Sequence, residues 1–249
     1  MPGKIIIVTA AYGHDEVEKR RGQQGVLSII ADAGADGVEI RRELLLEQEL
    51  ADLTPLAEAI HQHGLMCCYS APEPLCMDDG SLNPNIPNLL AEADRLDAAW
   101  LKLSLGHFQH PESLQALPAW LSAARAKLVI ENDQTECGKL APMKHFAEAA
   151  SQAHLPVTLT FDTANWLWTG EEPEHAARLL ASSVSYIHVK AAAAHGGKVR
   201  AIALDEGGPR WKELLHALPA SAYRGIEFPL QGADLTAITR HYVEQLREE

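Results

Sequence analysis

The sequence predicts a (β/α)8 TIM barrel built from residues 1–249 as one domain. Three observations carry this. Strand-like runs alternate with helix-like segments eight times, at roughly 30 residues per unit, and strict alternation implies a parallel sheet with right-handed crossovers. The length of 249 residues suits one such barrel. The strands read as buried on both faces, most clearly where Val157-Thr158-Leu159-Thr160-Phe161 runs into Asp162. A doubly wound open sheet is the alternative. It would more often carry a glycine-rich first turn, and Thr9-Ala10-Ala11-Tyr12-Gly13 is not one.

The elements follow in order. Lys4 to Ala10 reads as the first strand, Tyr12 to Arg21 as a polar loop with His14, and Gln24 to Ala33 as a helix ending at Gly34. Asp36 to Ile40 is a short strand followed by Arg41 and Arg42, and Glu47 to His61 an amphipathic helix closed by Gly64. Leu65 to Ser70 is a strand that enters a long Pro/Asp/Gly/Asn-rich segment, Ala71 to Pro87. Its length suggests a lid or wall over the barrel mouth, with a contact to a second copy of the chain as its other use. Asn88 to Ala98 is helical, Ala99 to Leu105 a strand stopped by Gly106, and Pro111 to Ala124 a helix that Pro118 splits. Strand Lys127 to Glu131, helix Ala141 to Ala153, strand Val157 to Asp162 and helix Glu174 to Ser182 come next, with Pro173 suited to the last helix's first turn. Val184 to Lys190 is a strand, and a Gly/Ala-rich loop then runs through His195, Gly196, Gly197 and Gly207-Gly208. Helix Trp211 to Leu218, strand Tyr223 to Phe228 and helix Leu235 to Leu246 complete the pattern.

Composition narrows the function. The 47% of hydrophobic and 22% of charged residues are ordinary for a soluble globular protein, and no apolar run reaches the length of a membrane span. The apolar run Ile5 to Val8 is too short for a signal-peptide core. The four cysteines form no CxxC pair and read as reduced thiols of a cytoplasmic protein. The formal charge of −13 argues against nucleic acid as a partner.

The chemistry gathers at the strand ends, where barrels of this kind carry their functional residues. Glu39 ends strand two, Lys102 lies late in strand four, Glu131 ends strand five, Asp162 strand six, His188 lies late in strand seven and Glu227 in strand eight. Taken singly, each strand-end acid reads as a cap or turn residue. The last four of these residues are separated by 31, 26 and 39 residues, about one βα unit each, so neighbouring strands bring them to one point. Three carboxylates and one imidazole then need a cation. Such a donor set suits one divalent ion, Mn²⁺ foremost, with Mg²⁺, Co²⁺ or Zn²⁺ as alternatives. Glu39 with Arg41 also reads as a local ion pair, and Lys102 as a side chain snorkelling out of the barrel. Asn165, Trp166, Trp168 and Lys190 follow these strand ends, and aromatic walls beside a polar site favour sugar rings. His14, His107 and His195 lie in loops.

From Ile5 to Leu230 the chain resembles the xylose-isomerase-like TIM barrels of the sugar phosphate isomerase/epimerase type. The residues that carry the resemblance are Gly37-Val38-Glu39-Ile40-Arg41, Lys102-Leu103-Ser104-Leu105-Gly106, Ile130-Glu131-Asn132, Phe161-Asp162-Thr163-Ala164-Asn165, Ile187-His188-Val189-Lys190 and Gly225-Ile226-Glu227. The resemblance implies a metal held by Glu131, Asp162, His188 and Glu227. It implies that Glu131 and Glu227 exchange protons with the substrate, as in the ketose and ketoglycoside epimerases. Lys190 matches a family lysine, whereas the Asp that often follows it is Ala191 here. Glu39, Lys102, Asn165, Trp166 and Lys190 are the expected substrate contacts.

Endonuclease IV, the nearest different class, shares the barrel but binds three zinc ions with extra histidines. One of these belongs three residues after the strand-six Asp, where this chain has Asn165. The reading is therefore an isomerase: a metal-dependent epimerase or aldose–ketose isomerase acting beside the carbonyl of a keto sugar. The metal would polarise the carbonyl and stabilise an enediolate while one glutamate takes the α-proton and the other returns one. A dehydratase or lyase on a keto sugar or keto-inositol is the alternative, and a non-catalytic sugar-binding barrel a third. The sugar, its phosphorylation and the outcome of proton return are left open by the residues.

Overall fold

A computed structural model describes residues 3–196 and 198–249. Eight parallel strands close a barrel: β1 (Ile5–Val8), β2 (Gly37–Arg41), β3 (Met66–Cys76), β4 (Ala98–Gly106), β5 (Lys127–Glu131), β6 (Val157–Asp162), β7 (Val184–Val189) and, after two further strands, β10 (Tyr223–Ile226). The order around the barrel is β1-β10-β7-β6-β5-β4-β3-β2, so strand neighbours in space are neighbours in sequence and the last barrel strand closes on the first.

Side-chain alternation along the strands creates two cores. Ile6, Cys68, Trp100, Val129 and Tyr186 point inward and plug the barrel floor. Their strand neighbours, such as Ile5, Ile7, Leu101, Leu103, Leu128 and Ile130, pack under the surrounding helices in one continuous apolar layer. The same alternation, carried two residues further, puts Ser70, Lys102, Glu131 and His188 at the inward positions near the carboxyl ends of β3, β4, β5 and β7, while β1 ends in the apolar Val8. A Cβ on Gly225 would lie 2.4 Å from Tyr186 Oη and 2.9 Å from His188 Cδ2, so only glycine lets these two rings cross the barrel there.

Several elements depart from the sequence reading. His14–Lys19 is a short helix rather than loop, its first turn carrying Asp15 and Glu16 where acids favour the helix N-terminus. The helix expected from Glu47 to His61 is two, Glu47–Ala51 and Thr54–Gln62. Asp52 is extended at the break, and its carboxylate accepts from the Thr54 N–H (3.0 Å), with Pro55 in the first turn of the second helix. Pro118 does split its segment, into a 3₁₀ turn at Pro111–Ala116 and a helix at Leu117–Ala123.

The largest difference is at Ala71 to Pro87. Ala71–Cys76 continues β3 beyond the barrel rim and pairs through Pro74↔Ser104 and Cys76↔Gly106. Register shifts between Ser70 and Pro74 accommodate the prolines, which cannot donate to a regular ladder. The chain turns at Met77–Gly80, and Pro87 then sits in the first turn of helix Ile86–Arg95. This extension rises on the carboxyl side of the sheet, as a wall should. The segment after β7, expected as loop, is an antiparallel ribbon of β8 (Ala191–His195) and β9 (Lys198–Ile202). Gly197 lies outside the described residues. The four cysteines are free. Among the described residues no helix is long and apolar enough to cross a membrane.

Candidate active site

The barrel mouth brings Glu131, Asp162, His188 and Glu227 together. Each offers a ligand atom, and the four atoms lie within 4.8 Å of one another. Strand register explains this. Asp162 pairs with His188 across β6 and β7, and Gly225 pairs with His188 across β10 and β7, which sets Glu227 just beyond the imidazole. Asp162 and His188 are fully buried, whereas the Glu131 and Glu227 side chains keep 12% and 15% exposure, a small opening toward solvent.

The imidazole is the hub. Its Nδ1 lies 2.6 Å from Glu131 Oε1 and 3.2 Å from Glu227 Oε2. Its Nε2 lies 2.9 Å from Glu39 Oε2, which also accepts the Tyr186 hydroxyl at 2.7 Å. Nε2–H donating to Glu39 fixes the tautomer that turns the Nδ1 lone pair toward the cluster. Asp162 Oδ1 accepts the Ala164 and Asn165 N–H groups (both 2.8 Å), which orients the carboxylate and aims Oδ2 inward.

Three cations surround the carboxylates. Lys102 Nζ bonds Glu131 Oε2 and stands 3.8 Å from Glu39 Oε1. Lys190 Nζ lies 2.8 Å from Asp162 Oδ2 and 2.7 Å from Glu227 Oε2. Arg41 Nη1 bonds Glu227 Oε1 at 2.9 Å. Despite these cations, Glu131 Oε1, Asp162 Oδ2 and His188 Nδ1 are buried without a well-formed hydrogen bond. Glu131 Oε1 and His188 Nδ1 face each other at 2.6 Å and Lys190 Nζ meets Asp162 Oδ2 at 2.8 Å, so buried carboxylate charge converges on one point where a bound cation would be stabilised. Oxygen ligands lie about 2.0–2.6 Å from Mg²⁺ or Ca²⁺, so opposed ligands stand roughly 4–5 Å apart, the span seen here. The donor set therefore fits a divalent ion.

The electrostatics agree. Burial pushes the His188 imidazole toward its neutral form, but Glu39, Glu227 and Glu131 outweigh it and hold its pKa well above the ordinary value. Burial likewise raises Glu131 and Glu227, and the cations reverse this: Lys102 and His188 for Glu131, Lys190, His188 and Arg41 for Glu227. Both glutamates end below the usual carboxylate range. Asp162 ends above it, because burial and the two glutamates outweigh Lys190. One imidazole proton thus fills part of the role that a metal would fill.

The other expected residues divide. Lys102, read as able to snorkel outward, points into the barrel with 4% of its side chain exposed. Lys190 also lies at the cluster. Glu39, expected to touch substrate, is fully buried beneath His188 and so supports the imidazole instead. Asn165 is a brace: its amide donates to Asn132 O (2.9 Å) and accepts from Gln134 (3.1 Å). Trp166, expected as a wall for a sugar ring, is 1% exposed and stacks on Phe161 in the helix layer, ring centroids 5.3 Å apart. The outer oxygens of Glu131 and Glu227 are held by Lys102 and Arg41. Sequence reading took Arg41 only as a partner of Glu39. The alternation i, i+2 along β2 would have placed Arg41 on the same inward face, one layer nearer the mouth. Tyr186 is the other residue it missed.

No family model and no curated protein matches the chain. Solved structures do. A probable 3-DHS dehydratase involved in petrobactin synthesis from Bacillus anthracis is 13% identical, with 98% of each chain covered and a TM-score of 0.70. A D-allulose 3-epimerase from Methylomonas sp. is 14% identical over 99% of this chain and 98% of that one, TM-score 0.70. A 3-keto-D-glucoside 4-epimerase from E. coli is 14% identical over 99% of this chain and 100% of that one, TM-score 0.65. Proteins described as xylose isomerase domain proteins are similar as well. What the chain shares with them is the closed eight-stranded parallel barrel fold.

Proposed function

We propose that the chain, acting as one barrel domain, is a metal-dependent isomerase that moves a proton beside the carbonyl of a keto sugar. The observation that carries this reading is the convergence of Glu131, Asp162, His188 and Glu227, whose ligand atoms lie within 4.8 Å of one another. Mn²⁺ is the ion of first choice for three oxygens and one imidazole, and when bound it would act as a Lewis acid on the carbonyl and adjacent hydroxyl oxygens. The similarity to ketose and ketoglycoside epimerases supports the substrate class.

The chain's own groups account for the rest. Glu131 and Glu227 stand on β5 and just after β10, with β6 and β7 between them around the barrel, and both reach the cluster from its rim. Both are ionised at neutral pH, so either can take the α-proton, and the other returns one from its own side. Return to the same carbon from the opposite face inverts it, and return to the neighbouring carbon interconverts ketose and aldose. Lys102 and Arg41 grip the outer oxygens and hold both carboxylates in place for transfer.

Lys102, Lys190 and Arg41 stand beside the carboxylates of Glu39, Glu131, Asp162 and Glu227. With a divalent ion bound, these cations would stabilise negative charge developing on the substrate oxygens while the abstracted proton resides on a glutamate. Incubation of the Mn²⁺-loaded protein with keto sugars in D₂O, followed by acid quench and NMR, tests this. Deuterium should enter only at carbons adjacent to the carbonyl. Loss of a substrate hydroxyl without exchange in recovered sugar would indicate a dehydratase, and no reaction with any keto sugar would refute the assignment.

A further inference from the structure

The strand that carries Arg41 outlasts its neighbour. β1 stands between β2 and β10 around the barrel, and its last pair with β2 is Val8↔Glu39. At Thr9 the chain leaves the barrel in a 3₁₀ turn, Thr9–Tyr12. The Arg41 side chain crosses above that end to reach Glu227 Oε1, just after β10. Its backbone stands beside Ser70 of β3 on one side, while β1 has already ended on the other. Backbone groups at so enclosed a position need another partner.

Gln23 is that partner. It opens a 3₁₀ turn, Gln23–Val26, and is fully buried. Its Oε1 accepts the Arg41 N–H (2.8 Å) and the Thr9 hydroxyl (2.6 Å), and its Nε2 donates to Arg41 O (2.8 Å). A backbone N–H only donates and a carbonyl only accepts, so Arg41 dictates which way the amide faces. One side chain thus takes both backbone groups of Arg41, as a parallel strand would. The barrel uses the same device at Asp162. Asn132, also fully buried, accepts the Asp162 N–H (2.8 Å) and donates to Asp162 O (3.2 Å), just past the last β5–β6 pair. Both amides extend the sheet only where a strand end carries a group of the site.

We infer that Gln23 is a positioning residue: it holds the backbone of Arg41 and, through the guanidinium, sets the Glu227 carboxylate for proton transfer. The last step rests on the proposed function, and the test separates the two. Proton–nitrogen NMR of arginine-labelled protein in Mg²⁺ buffer reads the guanidinium without turnover, with Arg41→Lys assigning its signals. In Gln23→Met the Arg41 side-chain N–H groups should exchange with water at least about tenfold faster, because two backbone hydrogen bonds are lost. Arg42, next in the chain and bonded to Glu92 (2.8 Å), should keep its rate. Mn²⁺ affinity should fall about tenfold, as it does when a group that orients a ligand is lost. Gln23→Met combined with Arg41→Lys should weaken Mn²⁺ no more than Arg41→Lys alone, because one route carries both effects. The kcat for α-proton transfer should fall by a similar factor with KM unchanged. If Gln23→Met does not fold, Gln23→Glu keeps the acceptor, loses the amide donor and carries the same comparison. Unchanged Arg41 signals, equal acceleration of Arg41 and Arg42, or additive losses in the double variant would overturn the inference. Faster Arg41 exchange and weaker Mn²⁺ binding in a protein that moves no keto-sugar proton would support the positioning role and refute the proton-transfer reading.

Discussion

Replacing Glu39 with Gln tests how the barrel prepares His188. Glu39 Oε2 accepts from Tyr186 (2.7 Å) and lies 2.9 Å from His188 Nε2, while Oε1 faces Lys102 and Arg41, each 3.8 Å away. Gln has nearly the same shape but one oxygen and no charge. With its oxygen toward the imidazole, its amide nitrogen points at two cations. With the amide reversed, two N–H groups oppose the Tyr186 hydroxyl and the Nε2–H. Either orientation leaves a buried donor unpaired and removes the charge that makes the imidazole a good ligand. Supporting carboxylates of this kind are worth about 10–100-fold in metal affinity, or about 1.4–2.7 kcal/mol. Mn²⁺ titration by calorimetry, with circular dichroism to confirm the fold, should show Glu39→Gln in that range. Tyr186→Phe keeps the charge but removes a hydrogen bond to it, and should lose about 1.5–3 kcal/mol of folding stability. Unchanged Mn²⁺ affinity in Glu39→Gln would refute the reasoning.

Asp162→Ala and His188→Ala should each weaken Mn²⁺ binding in the same titration, because each removes one of the four converging ligand atoms. Glu131→Gln and Glu227→Gln should lower turnover by roughly 10²–10⁴; steady-state kinetics at saturating metal would check this, and one variant should still exchange protons from one face without inverting. Metal affinity should rise with pH: the raised pKa keeps His188 protonated in the metal-free protein, so each ion bound displaces about one proton and affinity gains up to about tenfold per unit until that pKa is passed. For the same reason His188 stabilises the metal-free fold below its unfolded pKa, and this contribution is lost as pH rises through the folded value, which melting of chelated protein across pH would reveal. Gly225→Ala should destabilise by about 1–3 kcal/mol, read from thermal melting, because its methyl would meet Tyr186 Oη at 2.4 Å.

Much of this arrangement was legible in the sequence. A buried strand that ends in Asp, Glu or His is expensive unless a ligand compensates, so four such endings one βα unit apart marked both the barrel and the cluster. The misread parts share a physical cause: depth within the barrel is not written in any single strand. Glu39 looked like a strand-end group, yet β2 runs on to Arg41, so Glu39 lies one layer lower, level with Cys68. Trp166 comes soon after Asp162, but a four-residue helix, Asn165–Trp168, swings it outward onto Phe161. The prolines of β3 suggested loop because the register slip that accommodates them is a tertiary feature. The ribbon after β7 is four alanines before a turn and shows no period-2 contrast to signal a strand.

In the proposed site, four strand ends hold one metal ion, with a single imidazole ligand. Protein stripped with chelator and titrated with Mn²⁺ would be followed by electron paramagnetic resonance, with pulsed measurement of nitrogen couplings. The account predicts about one bound ion per chain with one directly coordinated nitrogen, whose coupling disappears in His188→Ala. A folded protein that binds no Mn²⁺, or one whose bound ion shows no nitrogen coupling from His188, would contradict it.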